Sequence, residues 1–416
     1  MKNVFLKFIY FTLAAYARKV IATHKPFVIG ITGSVGKSTT KEMVAQTLRD
    51  HFGDQVRANF GNLNAEIGIP LTILGYDKLP SKLLWPFFLV QAYFRTFEKK
   101  YPRYLVLEMG VERPGDIQYF GTIVRPDIGI ITSTAPAHIA NFPSREVQQA
   151  EKREMANIIK KDGSLLINAD DSGLAKIDFP GIATVGIQTQ TAQFRANSIK
   201  VSESGTEYRV ETLGQKISIK SRLLGEHFVY AALFAFAVGN RFGIQSLEIK
   251  KSIEKTAPQP GRMNILRGRD GIIILDDTYN ASPASIKAAL DVLSNFSGRK
   301  VAIIGNMNEL GEIEEQSHRE VAAYAKGIAD LAVFAGKNAK MMAEVCGNGA
   351  LSYLTRKDLE ADLANIVKSQ DVVLIKASQN GNFFEEITKL LLFDKSKSAE
   401  ILVRQSRFWL KKKGIK

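Results

Sequence analysis

Phe27-Val28-Ile29-Gly30-Ile31-Thr32-Gly33-Ser34-Val35-Gly36-Lys37-Ser38-Thr39-Thr40 is the stretch on which the fold turns. Its first six residues form a short apolar run that reads as a buried parallel strand. Residues 38–49 follow with helical spacing, which puts Met43, Val44, Thr47 and Leu48 on one side. A glycine-rich turn between such a strand and helix aims several backbone N–H groups at one point, and the helix N-terminus adds partial positive charge there. The turn therefore favours phosphate. Lys37 supplies a flexible cation for the terminal phosphates, and Ser38 a hydroxyl for Mg²⁺. The full phosphate-loop pattern has a further glycine where this chain has Ile31. The remaining Gly-x-x-Gly-Lys-Ser takes its specificity from the strand before it and the helix after it.

Outward from this loop the chain alternates. Strand-like apolar runs at 104–107, 128–131, 165–167, 272–275, 301–304, 331–334 and 372–375 are interleaved with helical patterns at 227–239, 284–294, 314–326 and 383–392. Such alternation predicts α/β architecture with mostly parallel sheets. Pro258-Gln259-Pro260-Gly261 is the best internal boundary. The expected organisation is a basic amphipathic helix at 1–25 and a central P-loop-type ATPase domain at 26–258. A Rossmann-like domain at 259–395 and a basic tail at 396–416 follow.

The net charge of +14 sits mostly at the two ends. Residues 1–25 carry Lys2, Lys7, Arg18, Lys19 and Lys25 with no acid, and residues 395–416 set six Lys and two Arg against Glu400. A nucleic-acid-binding fold spreads its basic residues over a face of the core, so no nucleic-acid partner is expected. Basic ends mixed with apolar residues suit an anionic membrane surface better. The apolar run 8–17 is shorter than the roughly 20 residues a bilayer needs, and a helix leading into the first strand is preferred to a cleaved signal. Residues 83–97 are aromatic-rich and cation-flanked, which fits either a helix packed on its own domain or a peripheral membrane contact. The single cysteine, Cys346, excludes an internal disulfide and fits a reducing cytoplasm.

Several blocks together carry a resemblance. Gly30-Ile31-Thr32-Gly33-Ser34-Val35-Gly36-Lys37-Ser38-Thr39-Thr40-Lys41-Glu42 resembles the ATP loop of the Mur ligases. The similarity continues through Asn62-Leu63-Asn64-Ala65-Glu66-Ile67-Gly68-Ile69-Pro70, Leu107-Glu108-Met109-Gly110 and Pro136-Ala137-His138. It recurs in Pro260-Gly261-Arg262-Met263, Asp276-Asp277-Thr278-Tyr279-Asn280-Ala281-Ser282-Pro283 and Asn308-Glu309-Leu310-Gly311-Glu312. The blocks stand in order and are most similar to the dipeptide-adding branch of that family.

The resemblance implies an ATP- and Mg²⁺-dependent, ADP-forming peptide ligase. The substrate carboxylate attacks the γ-phosphate to give an acyl phosphate, which an amine then opens. The substrates implied are a muramoyl-peptide cell-wall precursor, small-molecule or lipid-linked, and D-alanyl-D-alanine or a similar dipeptide. Gly33, Ser34, Val35, Gly36, Lys37, Ser38 and Thr39 would hold ATP, with Asp277 and Asn280 adding nucleotide contacts. Lys37, Glu108, His138, Lys152 and Arg262 would carry catalysis. The metal donors would be Ser38, Glu108, His138 and Lys152, the last as a carbamate. Lys376 and Ser378 would face the amine substrate.

Three places depart from the family pattern. Residues 1–25 precede the first strand where the family has a UDP-sugar domain. The pattern Lys-Gly-Ser-Arg-Gly stands here as Lys376-Ala377-Ser378-Gln379-Asn380, and Gly225-Glu226-His227-Phe228 lacks the asparagines that usually follow the histidine. A ligase for a different carboxylate at the membrane surface is therefore one rival reading. A nucleotide-binding membrane scaffold without catalysis is the other.

Overall fold

The computed structural model describes residues 2–61, 63–80, 84–136, 139–379 and 381–415, so His138 and Leu83 lie outside the described residues. The predicted first strand forms as β1 (Phe27–Thr32) and is buried along nearly its whole length. Eight more strands join it: β2 (Val56–Ala58), β3 (Tyr104–Glu108), β4 (Ile128–Ile131), β5 (Ser164–Asn168), β6 (Ile182–Gly186), β7 (Phe194–Ser202), β8 (Gly205–Thr212) and β9 (Gln215–Ser221). Their spatial order is β2-β3-β1-β4-β5-β6-β7-β8-β9. Pairing is parallel as far as β7, after which β7, β8 and β9 form an antiparallel meander.

The order places β1 between β3 and β4, so the chain leaves β1 on one side and returns on the other. In an open α/β sheet a crevice opens beyond the carboxyl ends of the strands at such a switch point. Residues 33–38 leave β1 there, Glu108 ends β3 there, and residues 132–135 leave β4 there.

The second sheet holds β10 (Asn264–Arg267), β11 (Ile273–Asp276), β12 (Lys300–Gly305), β13 (Leu331–Ala335), β14 (Leu351–Tyr353) and β15 (Val372–Lys376). Its order is β10-β11-β15-β12-β13-β14, parallel except for the edge strand β10. Loops leaving β11, β12 and β15 at their carboxyl ends face the crevice of the first sheet.

Local sequence sets the helices that frame these loops. Ser282 Oγ accepts a hydrogen bond from the Ser285 N–H and Ser285 Oγ accepts one from the Ser282 N–H, so a capping box with Pro283 in the first turn starts the helix Pro283–Ser294. Glu226–Arg241 is apolar on most sides and is correspondingly buried against the helix Lys37–Phe52.

Both ends of the described chain pack against the body of the protein. Helix Lys2–His24 forms, yet Ile9, Leu13, Ala17 and Val20 are fully buried in the same apolar cluster as Trp85 and Phe88. One face of it belongs to the core. The C-terminal segment is not a free basic tail either. The side chain of Lys413 is fully buried between Glu385 (2.8 Å) and Glu386 (2.6 Å), and Arg404 binds Glu385 at 2.7 Å. Two of the tail's cations thus neutralise buried carboxylates.

Candidate active site

The loop after β1 is held by its neighbour strand. Thr132 Oγ1 donates to the Val35 carbonyl at 2.7 Å, the Ser34 N–H donates to the Ser133 carbonyl at 2.8 Å, and the Ser34 hydroxyl donates to the Ala135 carbonyl. Gly33 (φ 136°) and Gly36 (φ 86°) take conformations that L side chains rarely adopt. A Cβ on Gly33 would also run into Thr132 Oγ1 and come within 2.9 Å of the Ser133 nitrogen. Gly33→Ala is therefore expected to destabilise the protein by about 1–3 kcal/mol and to abolish nucleotide binding. Thermal unfolding with and without ATP, together with fluorescent-nucleotide titration, measures both.

Lys37 opens the helix, and its ammonium folds back over the loop, donating to the Gly33 carbonyl at 2.7 Å. Burial pushes its pKa down; Glu108 opposes that shift and Arg262 adds to it. Ser38 Oγ donates to Glu108 Oε1 at 3.2 Å, and Arg262 donates to the same hydroxyl at 3.1 Å. Arg262 comes from the second sheet's side of the cleft, with its guanidinium 4.2 Å above the Tyr279 ring.

Glu108 is 2% exposed and locked in place. Asn59 bonds its backbone N–H (2.7 Å) and carbonyl (2.9 Å), while the Asn64 amide donates to Oε1 at 2.9 Å. Oε2 is buried with no hydrogen-bond partner among the described residues. A buried carboxylate oxygen left open beside a serine hydroxyl is an oxygen-donor pair suited to a hard divalent cation. Ser38 and Glu108 therefore fit Mg²⁺, although no cluster of three His, Cys, Asp or Glu donors occurs among the described residues.

Lys152 lies deeper. It sits on the helix Arg145–Arg153, which Ser144 caps by accepting from the Val147 N–H at 3.3 Å. Only 3% exposed, it is not among the residues lining the cleft. Burial and the nearby Lys37 cation push its pKa down to about 7, against the pull of Glu151 and Asp171. The folded protein then binds fewer protons than the unfolded chain between about pH 7 and the ordinary lysine range near 10. Stability should rise with pH across that window, and Lys152→Met should flatten the rise. Denaturant midpoints of both proteins across the window test this.

The loop after β11 is wired to β15. Lys376, 2% exposed, pairs with Asp277 and donates to the Asn280 carbonyl at 2.9 Å. Ser378 Oγ donates to the Ala281 carbonyl at 2.9 Å and accepts from the Asn308 N–H at 3.0 Å. Asn280 Oδ1 accepts from the Gln379 N–H at 3.3 Å. Lys376 and Ser378 thus line the cleft while holding the loop that carries Asp277 and Asn280.

The resulting cleft, about 270 Å³, is bounded by residues 34–39 and Glu108 on one side and by Arg262, Asp277, Asn280, Lys376 and Ser378 on the other. Helix Glu226–Arg241 adds His227, which burial holds at a pKa of about 4 and so keeps neutral near pH 7. Sequence reading left Asn59, Asn64, Thr132, Tyr279 and His227 without roles. Asn64 stood inside a motif block, whereas Asn59 and Thr132 give no signal until the strands are paired. His318, for which the sequence suggested no role, is fully buried and accepts from the Met307 N–H at 3.0 Å. It is a structural histidine.

Both sheets fall largely within known domains. The Mur ligase middle domain matches residues 31–83 and 88–239, and the Mur ligase glutamate ligase domain matches residues 261–379. The UDP-N-acetylmuramoyl-tripeptide–D-alanyl-D-alanine ligase of Bacillus subtilis is 31% identical over 377 residues, covering 88% of this chain and 76% of that protein. The chain belongs to the Mur ligase family. The corresponding Escherichia coli ligase is 28% identical, over 91% of this Mur ligase and 79% of its own length. Among solved structures, the MurF ligase of Thermotoga maritima in complex with ADP superposes with a TM-score of 0.77 and 26% identity. That match covers 94% of this chain and 84% of the other. MurF from Acinetobacter baumannii gives 0.76 and 25%, covering 90% and 78%. No helix among the described residues is long and apolar enough to cross a membrane.

Proposed function

We propose that this Mur ligase joins an amine, D-alanyl-D-alanine or a similar dipeptide, to the carboxylate of a muramoyl-peptide precursor at the expense of ATP, in the cytoplasm. The observation carrying the reading is the meeting of Glu108 from one sheet with Arg262 from the other at the hydroxyl of Ser38, the residue after Lys37. A carboxylate oxygen is a poor leaving group, so it must first be converted. Its oxygen attacks the γ-phosphorus, the bond to the β-phosphate oxygen breaks, and ADP leaves an acyl phosphate. The amine nitrogen then attacks the carbonyl carbon, phosphate departs, and the nitrogen gives up a proton as the amide forms.

The chain's own groups suit these steps. Backbone N–H groups of residues 33–39 and the Lys37 ammonium cradle the phosphates. Arg262, fixed against Tyr279, meets charge developing on the transferred group. Asp277 and Asn280 orient the nucleotide from the second sheet. Mg²⁺, held by Ser38 and Glu108 with His138 and a Lys152 carbamate completing the donors, would neutralise phosphate charge when bound. Lys152 is suited to carbamylation because its depressed pKa leaves much of the amine uncharged near neutral pH, and ¹³C-bicarbonate should give a carbamate resonance that Lys152→Met lacks.

The deciding experiment supplies ATP, Mg²⁺, UDP-muramoyl-tripeptide and D-alanyl-D-alanine, and follows phosphate release and product mass. Product heavier by one dipeptide residue unit supports the reading, and no turnover with any muramoyl acceptor, soluble or lipid-linked, removes it. A lipid-linked acceptor at the membrane surface is a second reading, favoured by the exposed aromatic face of the helix Trp85–Arg95.

A further inference from the structure

The helix Trp85–Arg95 is apolar on two opposite sides. Trp85, Phe88 and Ala92 are buried and bind it to the body of the protein. Phe87, Val90, Phe94 and Phe97, spaced by three, four and three residues, form a second stripe on the opposite side, 71%, 56%, 66% and 55% exposed. A helix that is apolar all round ordinarily lies in a core or meets a non-aqueous phase.

A second helix extends the stripe. Lys2–His24 lies alongside, with the Tyr16 and Tyr93 rings 5.7 Å apart and the Lys19 ammonium 3.8 Å above the Phe97 ring. Its buried residues Ile9, Leu13, Ala17 and Val20 leave Phe8 (58% exposed) and Phe11 (70%) on the outward side. Scattered exposed apolar residues need no account, but a contiguous aromatic sheet over two helices does.

Charge selects the occupant. Neither helix contains an Asp or Glu. Lys7, Lys19, Lys99 and Lys100 are exposed around the patch, and Glu98, at its rim, pairs with Arg95 at 3.8 Å. Exposed lysines set among outward-facing aromatic rings suit a headgroup layer. Protein interfaces, by contrast, are depleted in lysine.

We propose that the outward faces of Lys2–His24 and Trp85–Arg95 dock this protein onto an anionic bilayer surface, apolar side chains entering the headgroup–acyl boundary and lysines pairing with lipid phosphates. The inference specifies the surface of the peripheral contact and stands independently of the ligase reading. Tyr10, on the flank of Lys2–His24, is within electrostatic reach of Glu66 and Arg113, next to Ala65 and Glu112 of the cleft wall.

The test is co-sedimentation of the full chain with phosphatidylcholine vesicles, with and without phosphatidylserine. Binding is expected only with the anionic lipid, weakening as salt is raised. Phe87→Ser combined with Phe94→Ser should lower the partition coefficient roughly tenfold or more, and Lys99→Glu with Lys100→Glu should lower it through charge alone. Both pairs are exposed, so unchanged thermal unfolding and unchanged ATP binding without vesicles are expected of each. Equal binding to neutral and anionic vesicles, or undiminished binding by the phenylalanine variant, overturns the proposal. Self-association in solution that the phenylalanine variant abolishes, with no vesicle binding, also overturns it and makes the face a protein interface. Failure of the ligase assay leaves vesicle binding untouched, so the two readings fail separately.

Discussion

Lys37→Ala is expected to lower ligation by on the order of 10²–10³-fold, the loss typical of removing one preorganised charge from a site where charge develops. The fold should tolerate the change, because the ammonium is held at a cost. Burial lowers its pKa, and its main partner in the loop is the Gly33 carbonyl rather than a carboxylate. Removing it should leave the melting temperature of the nucleotide-free protein level or slightly higher. The increase in melting temperature that saturating ATP produces should shrink at the same time, since that shift scales with affinity. Thermal unfolding with and without nucleotide, beside phosphate release, reads both quantities. A variant that melts well below the parent without ligand would make Lys37 a structural residue and contradict the assignment.

The second large effect concerns Arg404. Its guanidinium donates to the Thr278 carbonyl at 2.6 Å and the Tyr279 carbonyl at 3.0 Å, and grips both oxygens of Glu385 at 2.9 and 2.7 Å. Glu385 is fully buried, with Lys413 as its other cation. Arg404→Met leaves a buried carboxylate half-compensated and two carbonyls open, which should cost about 3–5 kcal/mol. Because the same loop carries Asp277, Asn280 and the ring under Arg262, ligase kcat/KM should fall as well. Arg404→Lys restores a charge but not the planar fork, so it should recover only part of either loss. Urea midpoints and steady-state kinetics of the three proteins check this. If Arg404→Met unfolds at the parental midpoint, the clamp has no energetic weight.

The parts of the fold legible in the sequence are those whose burial is two-sided. β1, β3, β4, β12, β13 and β15 are continuous apolar runs, and each was readable within a residue or two of its ends. The meander β7–β9 was missed for a physical reason. It has one buried face, so its residues alternate, as in the inward Ile217, Ile219 and Ser221 of β9, and that alternation sits in a polar stretch without long apolar runs. Counting a period of two over 194–221 would have found it.

At the candidate site the loop residues and Glu108 were legible because a phosphate loop and a strand-end carboxylate have local signatures. Lys376 ends β15 and Ser378 follows it, at the edge that faces the cleft. Their ties to Asp277, Asn280 and Ala281 depend on β11 and β15 being neighbours, and nothing local encodes that pairing. The tail illustrates the limit most clearly. Its charges suggested solvent or lipid, yet Arg404 and Lys413 are consumed by Glu385 and Glu386, acids that themselves read as an ordinary helix start.

That docking makes chain order matter. Every motif block from Gly30 to Glu312 is synthesised before Arg404, whose guanidinium braces residues 278 and 279. A nascent chain can therefore hold the phosphate loop and the whole second sheet while the nucleotide-facing turn still lacks its support. A product cut short of residue 404 would keep the recognisable motifs without the bolt that sets them.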